Sequence, residues 1–317
     1  MCSSENRGVH RGVMEVRSVG MTRAMQGAVG LMAMGLIHCA QAPAEGEITY
    51  AEAPTPQGKH PLTLDIRVPE GPGPFPALVF IHGGGWMFGD LSTYRGAIEN
   101  AASRGFVGVS INYRLANESK DEGGALSPWP AQIEDVRCAL RWLSANASTF
   151  KIDTDRVATA GGSAGGHLAM MAGYAQNEPR FEPTWCPHEE SVAVRAVVSF
   201  YGANDLAAVY DTSEEWWVRA YMTRWLDLPD GASTTDDAAR FADANPASYL
   251  RTGPKIPSLI LQGTADTIVP PQTQRGFRAA AEGAGQDVSI TFLEGVGHGI
   301  DAIEESNRAI DWLSTRL

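Results

Sequence analysis

A serine flanked by glycines, between a strand and a helix, is the feature that most constrains the fold of this chain. Residues 161–165 spell GGSAG, with Ser163 at the centre. The mostly apolar run at 156–160 predicts a strand, and residues 164–175 predict a helix. Such a turn is so tight that side chains two residues from the serine would clash, and glycines fill both positions. The segment therefore predicts a nucleophilic serine raised above the edge of a sheet.

Strand and helix patterns alternate along most of the chain. The sequence predicts further strands at 62–68, 77–81, 106–111, 193–200, 256–261 and 288–293, and helices at 93–104, from 131 onward and at 303–315. This alternation predicts an α/β fold: a mostly parallel central sheet flanked by helices, with functional loops at the carboxyl ends of the strands. Residues 203–250 are rich in aromatics and break the rhythm. They predict either an insertion that forms a small lid or ordinary helical packing.

A glycine-rich loop, HGGGW, follows the predicted central strand at 77–81. An attacked carbonyl oxygen becomes an oxyanion that needs preorganised N–H donors, and glycine lets the backbone approach it. We expect the donors to be the amides of Gly83, Gly84 and Ala164, although the sequence leaves open which of the three loop glycines point inward. His82 is expected to brace this loop rather than to react.

A serine nucleophile needs a base, and in this order of elements the base follows an acid. His298 lies in the glycine loop GVGHG, after the last predicted strand. His167 lies one turn into the helix after Ser163, where we expect it to point along that helix. His188 stands beside two glutamates and predicts a surface position. His298 is therefore the predicted general base.

The predicted orienting acid is Asp266, at the end of the strand and loop LILQGTAD. Asp301 is too close in sequence to His298 to come from a separate strand end. Asp205 is the more serious alternative, because it follows the preceding predicted strand.

The groups expected nearest the serine are Trp86, after the oxyanion glycines, and Tyr201, at the end of a strand. Both are bulky and would wall a short pocket, which predicts a preference for acetyl to butyryl esters and a steep loss beyond about six carbons. The alternative is that Trp216, Trp217 and Trp225 of the insertion form an open apolar trough.

The N-terminal residues 1–42 resemble a leader. Arg17 and Arg23 precede an apolar stretch at 27–37, which is too short to span a bilayer, and the small-x-small pattern AQA follows at 40–42. We expect a secreted or periplasmic mature domain of residues 43–317 that begins near Pro43 and has no stable membrane insertion. The alternative is an amphipathic N-terminal helix.

The net charge of the chain limits its possible binding partners, and its cysteines bear on its cellular compartment. The formal net charge of −12 argues against a nucleic-acid partner, which requires a basic face. Cys138 and Cys186 remain after the leader, and in an exported protein they can pair. Alternatively, Cys138 is a small buried hydrophobe on its helix.

These motifs together resemble the esterase/lipase branch of α/β-hydrolases, within it the hormone-sensitive-lipase-like esterases and a compact feruloyl-esterase-like carboxylesterase group. The resemblance covers roughly residues 47–317. It rests on HGGGW at 82–86, Gly89-Asp90, Asn112-Tyr113-Arg114, Asp135, Arg141-Trp142, DTDRV at 153–157, GGSAGGHLA at 161–169, Phe200-Tyr201-Gly202 and GVGHG at 295–299. Gln262 departs from the histidine usual there, and a long N-terminal cap is absent.

The resemblance implies hydrolysis of small-molecule esters through an acyl-enzyme, without a metal ion or cofactor. It does not fix the ester: acetylated or feruloylated polysaccharide fragments are candidates, and an arylformamidase-like amidase is an alternative because similar loops occur there. A binding module would lack a triad member, whereas this chain has all three. The sequence gives no oligomeric state.

Overall fold

One mostly parallel sheet organises the protein. The computed structural model describes residues 46–116, 127–229 and 231–317, so the leader predicted at 1–42 lies outside the described residues. Within them, eight strands pair in the order β1-β2-β4-β3-β5-β6-β7-β8. The pairs β1–β2 and β2–β4 are antiparallel, and every other pair is parallel. The predicted sheet, mostly parallel and flanked by helices, is confirmed.

The strands are β1 Ile48–Thr55, β2 Gly58–Arg67, β3 Phe75–Ile81, β4 Val107–Ile111, β5 Ile152–Gly162, β6 Val194–Phe200, β7 Ser258–Gly263 and β8 Val288–Leu293. The helices are α1 Arg95–Ser103, α2 Ala131–Ala145, α3 Ala164–Tyr174, α4 Leu206–Thr212, α5 Trp216–Trp225, α6 Ala238–Ala244, α7 Pro271–Gly283 and α8 Ala302–Leu313. Short 3₁₀ turns occur at Leu91–Tyr94, Pro179–Phe181 and Pro246–Tyr249.

The sheet is covered on both faces, which explains why its central strands are continuously apolar. In β3, Val79 and Ile81 belong to the larger core with residues of α2 and α3, while Leu78 and Phe80 belong to a second core with α1 and α8. The strand β1 is not predicted from the sequence, because it pairs with β2 at the edge of the sheet and carries the turn-forming Pro54.

The insertion at 203–250 folds into α4, α5, α6 and a 3₁₀ turn, and it packs on the larger core through buried side chains that include Met222, Trp225 and Phe241. It is therefore packed helical structure, as one of the two expectations had it. Its relation to the site is described below.

A disulfide joins Cys138 of α2 to Cys186, which follows the turn at Pro179–Phe181. The sequence left this pairing open. No helix among the described residues is both long and apolar enough to cross a membrane.

Candidate active site

Ser163 lies on a sharp turn between β5 and α3. Its backbone has φ 54° and ψ −120°, a region that non-glycine residues seldom adopt. A Cβ on Gly165 would lie 1.9 Å from the carbonyl oxygen of Ile81, so only glycine allows α3 to approach β3 this closely. The turn holds the hydroxyl above the carboxyl end of the sheet, as the sequence predicts.

The structure brings the predicted triad together. His298 Nε2 lies 2.9 Å from Ser163 Oγ, and His298 Nδ1 lies 2.9 Å from Asp266 Oδ2 and 3.1 Å from Oδ1. Asp266 is buried, while the His298 side chain keeps 15% of its surface exposed toward the site. This geometry allows proton transfer from the serine hydroxyl to the imidazole.

Besides His298, three donors hold Asp266 in place. The amides of Ile268 and Val269 donate to Oδ1 at 3.0 and 2.9 Å, and the buried side chain of Gln262 donates to Oδ2 at 2.9 Å. Gln262 also donates to the carbonyl of Val269 at 3.0 Å. Gln262 is not one of the predicted triad residues, but in the structure it is a direct hydrogen-bond partner of the acid.

The competing acids and histidines have other partners. Asp205 caps α4 by accepting from the amide of Ala208, and Asp301 caps α8 by accepting from the amide of Ile303. His188 lies 3.3 Å from the carbonyl of Tyr50 and is half-buried. Neither aspartate replaces Asp266 beside His298.

The HGGGW loop lies beside the serine. The Cβ position of Gly83 is 3.3 Å from Ser163 Cβ, and Gly84 has φ 113°, where a Cβ would lie 2.1 Å from the carbonyl oxygen of Phe88. Within the described residues, no hydrogen bond uses the amides of Gly83, Gly84 or Ala164 as donors. These N–H groups are therefore available to a ligand.

His82 braces this loop. Its Nδ1 lies 2.8 Å from the carbonyl oxygen of Gly83, and its ring stacks on Tyr113 with centroids 4.3 Å apart. Burial lowers the pKa of His82 to about 4, so the ring is neutral and Nδ1–H can donate to Gly83. The contact agrees with the bracing expected from the sequence.

Trp86, at the end of the HGGGW loop, packs against two residues from other parts of the chain. Its indole stacks on Trp225 of α5, with centroids 3.8 Å apart and planes within 2° of parallel, and its Nε1 donates to His167 Nδ1 at 3.2 Å. His167 is completely buried and lies against this loop, whereas the sequence suggested that it points along its helix. Periodicity alone cannot reveal such a contact between a helix and a distant loop.

Tyr201 borders His298 and leads to a buried carboxylate. The two rings meet edge to face with centroids 4.8 Å apart. Tyr201 and Tyr94 donate their hydroxyls to the two oxygens of Glu305, at 2.5 and 2.7 Å. Burial raises the pKa of Glu305 to about 7. Glu305 cannot be recognised from the sequence, because it stands among charged residues on α8 and resembles an exposed helix position.

A cavity of about 690 Å³ opens at Ser163. Trp86 and Tyr201 line it, as predicted, but the insertion supplies much of the wall through Val209, Trp217, Val218, Tyr221 and Met222. Trp225 is buried behind Trp86, and Trp216 is 81% exposed. The insertion is thus both packed structure and part of the pocket.

Across the described ranges, no three His, Cys, Asp or Glu side chains converge as a metal site would require. The groups that line the described site are a hydrogen-bonded serine, an imidazole and unbonded backbone amides.

The sheet order and the serine on the turn after β5 define an α/β-hydrolase. A family model described as BD-FAE matches residues 64–280, more than half of the chain. The chain belongs to this family of α/β-hydrolase esterases.

Curated relatives and solved structures agree with this class. Esterase LipC of Mycobacterium tuberculosis is 34% identical over 236 residues, which cover 73% of this chain and 54% of LipC. The probable carboxylic ester hydrolase LipM of the same organism is 32% identical over 74% of this chain and 50% of LipM. The chain thus spans about half the length of these relatives. A butyrate-bound esterase from Thermogutta terrifontis is 25% identical, with a TM-score of 0.66 over 87% of this chain and 95% of that chain.

The buried carboxyl of Glu305 predicts a pH-dependent stability. Because its pKa is raised to about 7 in the folded state, from an ordinary 4.5, the folded chain binds the proton more tightly than the unfolded chain. This difference adds on the order of 3 kcal/mol to the free energy of unfolding. The contribution is fully present below about pH 4.5 and is lost as pH rises through about 7. Glu305→Gln removes it. Urea unfolding of both proteins at pH 5 and pH 8 should show the variant gaining relative to wild type at pH 8.

The comparison of variant with wild type isolates Glu305, since other buried groups such as His82 titrate equally in both. If the difference in unfolding free energy were the same at both pH values, the carboxyl would not titrate in this range.

Proposed function

We propose that this protein is a serine carboxylesterase that hydrolyses small acyl esters through an acyl-enzyme. Ser163 is the nucleophile, His298 the general base and Asp266 the orienting acid. The observation that carries the proposal is the unbroken hydrogen-bonded chain from Ser163 Oγ through both nitrogens of His298 to Asp266.

The geometry assigns the proton positions. Asp266 accepts from its other partners and, as a carboxylate, can only accept from His298 Nδ1, which therefore carries the proton. The lone pair of Nε2 then faces the serine hydroxyl. In the proposed reaction, Nε2 takes the hydroxyl proton as Oγ forms a bond to the ester carbonyl carbon.

The resulting tetrahedral intermediate carries its negative charge on the former carbonyl oxygen. We propose that the amides of Gly83, Gly84 and Ala164 stabilise it, aided by the N-terminus of α3. The intermediate collapses, the C–O bond breaks and His298 gives its proton to the leaving alcohol. A water molecule, deprotonated by His298, then releases the acid and regenerates Ser163.

The relatives support the reaction class. LipC and LipM are named as ester hydrolases, and a family match over residues 64–280 includes Ser163, the HGGGW loop and Asp266. No observation in the site favours the formamidase alternative, so ester hydrolysis is the proposal that we retain.

The cavity refines the proposed acyl group. Trp86 and Tyr201 alone would leave a short pocket, but Val218 and Met222 extend the apolar wall. We propose that acyl chains of about four to six carbons fit best, because each methylene buried against this wall stabilises the bound state by about 0.8 kcal/mol until the wall ends.

We also propose that the protein is exported. The leader pattern at 1–42 predicts this, and the bond between Cys138 and Cys186 supports it, because disulfides persist in oxidising compartments.

Ser163 should be the site of covalent labelling. An aryl organophosphonate is expected to give one adduct, mapped by peptide mass spectrometry, and Ser163→Ala should lower turnover by about 10⁴-fold or more because no other nucleophile is activated. Ser199→Ala, at the buried end of the neighbouring β6, is the matched control and should still be labelled at Ser163. Labelling of a different residue would refute the mechanism.

Acyl preference should follow the insertion wall. For p-nitrophenyl esters, kcat/KM is expected to rise up to about fourfold per methylene from acetyl toward hexanoyl and to fall at octanoyl. Met222→Ala should move the maximum toward octanoyl by lengthening the pocket, whereas Phe88→Ala at the exposed rim should not. A maximum at acetyl in wild type, unmoved by Met222→Ala, would contradict this assignment of the wall.

Protein recovered from the native host should begin near Pro43 and carry no free thiol on Cys138 or Cys186. N-terminal sequencing and thiol alkylation before reduction test both points. Retention of Met21, or a freely alkylated Cys138, would count against export.

A further inference from the structure

His167 joins three parts of the site that are distant in sequence. It lies one turn into the helix that follows Ser163, and it is completely buried. Its Nδ1 contacts the indole of Trp86 in the oxyanion loop, and its Nε2 lies 2.7 Å from the carbonyl oxygen of Ala244 in the insertion. Its ring also meets Trp225 edge to face, with centroids 5.3 Å apart.

The partners of His167 fix its tautomer. The indole N–H of Trp86 can only donate, so Nδ1 must be the unprotonated nitrogen. Nε2 then carries the hydrogen and donates it to Ala244. Burial lowers the pKa of His167 to about 4, so the ring is neutral at neutral pH.

The oxyanion loop needs an external anchor. Gly84, Gly85 and Trp86 have φ values of 113°, 60° and 59°, three consecutive residues on the left-handed side. For the non-glycine Trp86 this conformation is sterically unfavourable. It persists only when the surroundings over-determine it, and the indole is held by the stack on Trp225 and the hydrogen bond to His167.

We propose that His167 is a positioning residue for the oxyanion hole: by accepting from the indole of Trp86, it sets where the amides of Gly83 and Gly84 stand relative to Ser163. This role rests on the proposed esterase function. Through Trp225, which stacks on the same indole, the insertion contributes to holding Trp86 in place.

Two substitutions separate the hydrogen bonds of His167. The amide oxygen of asparagine branches from Cγ as Nδ1 does, so His167→Asn keeps an acceptor for Trp86 and loses the donor to Ala244. The amide of glutamine reaches the position of Nε2, so His167→Gln keeps the contact with Ala244 and loses the acceptor for Trp86. Both are neutral.

The two variants are expected to differ in activity, because each retains a different hydrogen bond of His167. With a p-nitrophenyl butyrate substrate, His167→Asn should keep kcat within about threefold of wild type, and His167→Gln should lower it by on the order of tenfold to a hundredfold with KM little changed. Affinity for a trifluoromethyl ketone, whose serine adduct bears an oxyanion, should fall in parallel with kcat/KM. Trp86→Phe, which lacks the indole N–H, should resemble His167→Gln, and combining the two should cost no more than either alone.

Trp129→Phe is the matched control. It removes another indole N–H of this cluster, the one that donates to Asp243 beside Ala244, without touching the loop, and should leave kcat unchanged. Equal losses in His167→Asn and His167→Gln, additive losses in the double variant, or unchanged ketone affinity would overturn the positioning role. An inactive wild type would instead refute the proposed function, so the two failures are distinguishable.

Discussion

The structure depends on the close approach of α3 to the carboxyl end of β3. At Gly165 the helix backbone lies so near the carbonyl of Ile81 that a methyl group would overlap it. That contact forces Ser163 into its strained turn and points the first turn of α3, with its unbonded amides, at the same spot. The positions of Ser163 and of the unbonded amides beside it therefore follow from one packing constraint rather than from two independent arrangements.

The sequence predicts the parts of the site that depend on local pattern. The alternation of strands and helices predicts the sheet. The motifs GGSAG, HGGGW and GVGHG locate Ser163, the loop at 82–86 and His298 at the ends of their strands. The sequence does not predict partners that meet only through tertiary packing. His167 and Trp86 are 81 positions apart in the chain, and Glu305 and Tyr201 are 104 positions apart. Gln262 is only four positions from Asp266, but in the sequence it looks like an ordinary strand residue.

The electrostatics of the site come from neutral groups arranged around a single buried acid–base pair. His82 begins the HGGGW loop and His167 contacts it. Burial lowers the pKa of each to about 4. A neutral imidazole can brace a backbone by both donating and accepting without adding a charge to the cavity. The charge that forms during the proposed reaction is thus left to the amide donors and to His298 with Asp266.

Gln262 bears on whether the hydrogen bonds to Asp266 change with pH. It donates to Asp266 from the position where the resembling esterases usually carry a histidine. An imidazole at that position could gain or lose a proton and so change both its charge and its hydrogen-bonding capacity. A carboxamide has no such equilibrium, so Gln262 offers Asp266 the same neutral donor whatever the pH. In this chain, the donor that β7 supplies to Asp266 therefore adds neither a charge nor a titrating group to the site.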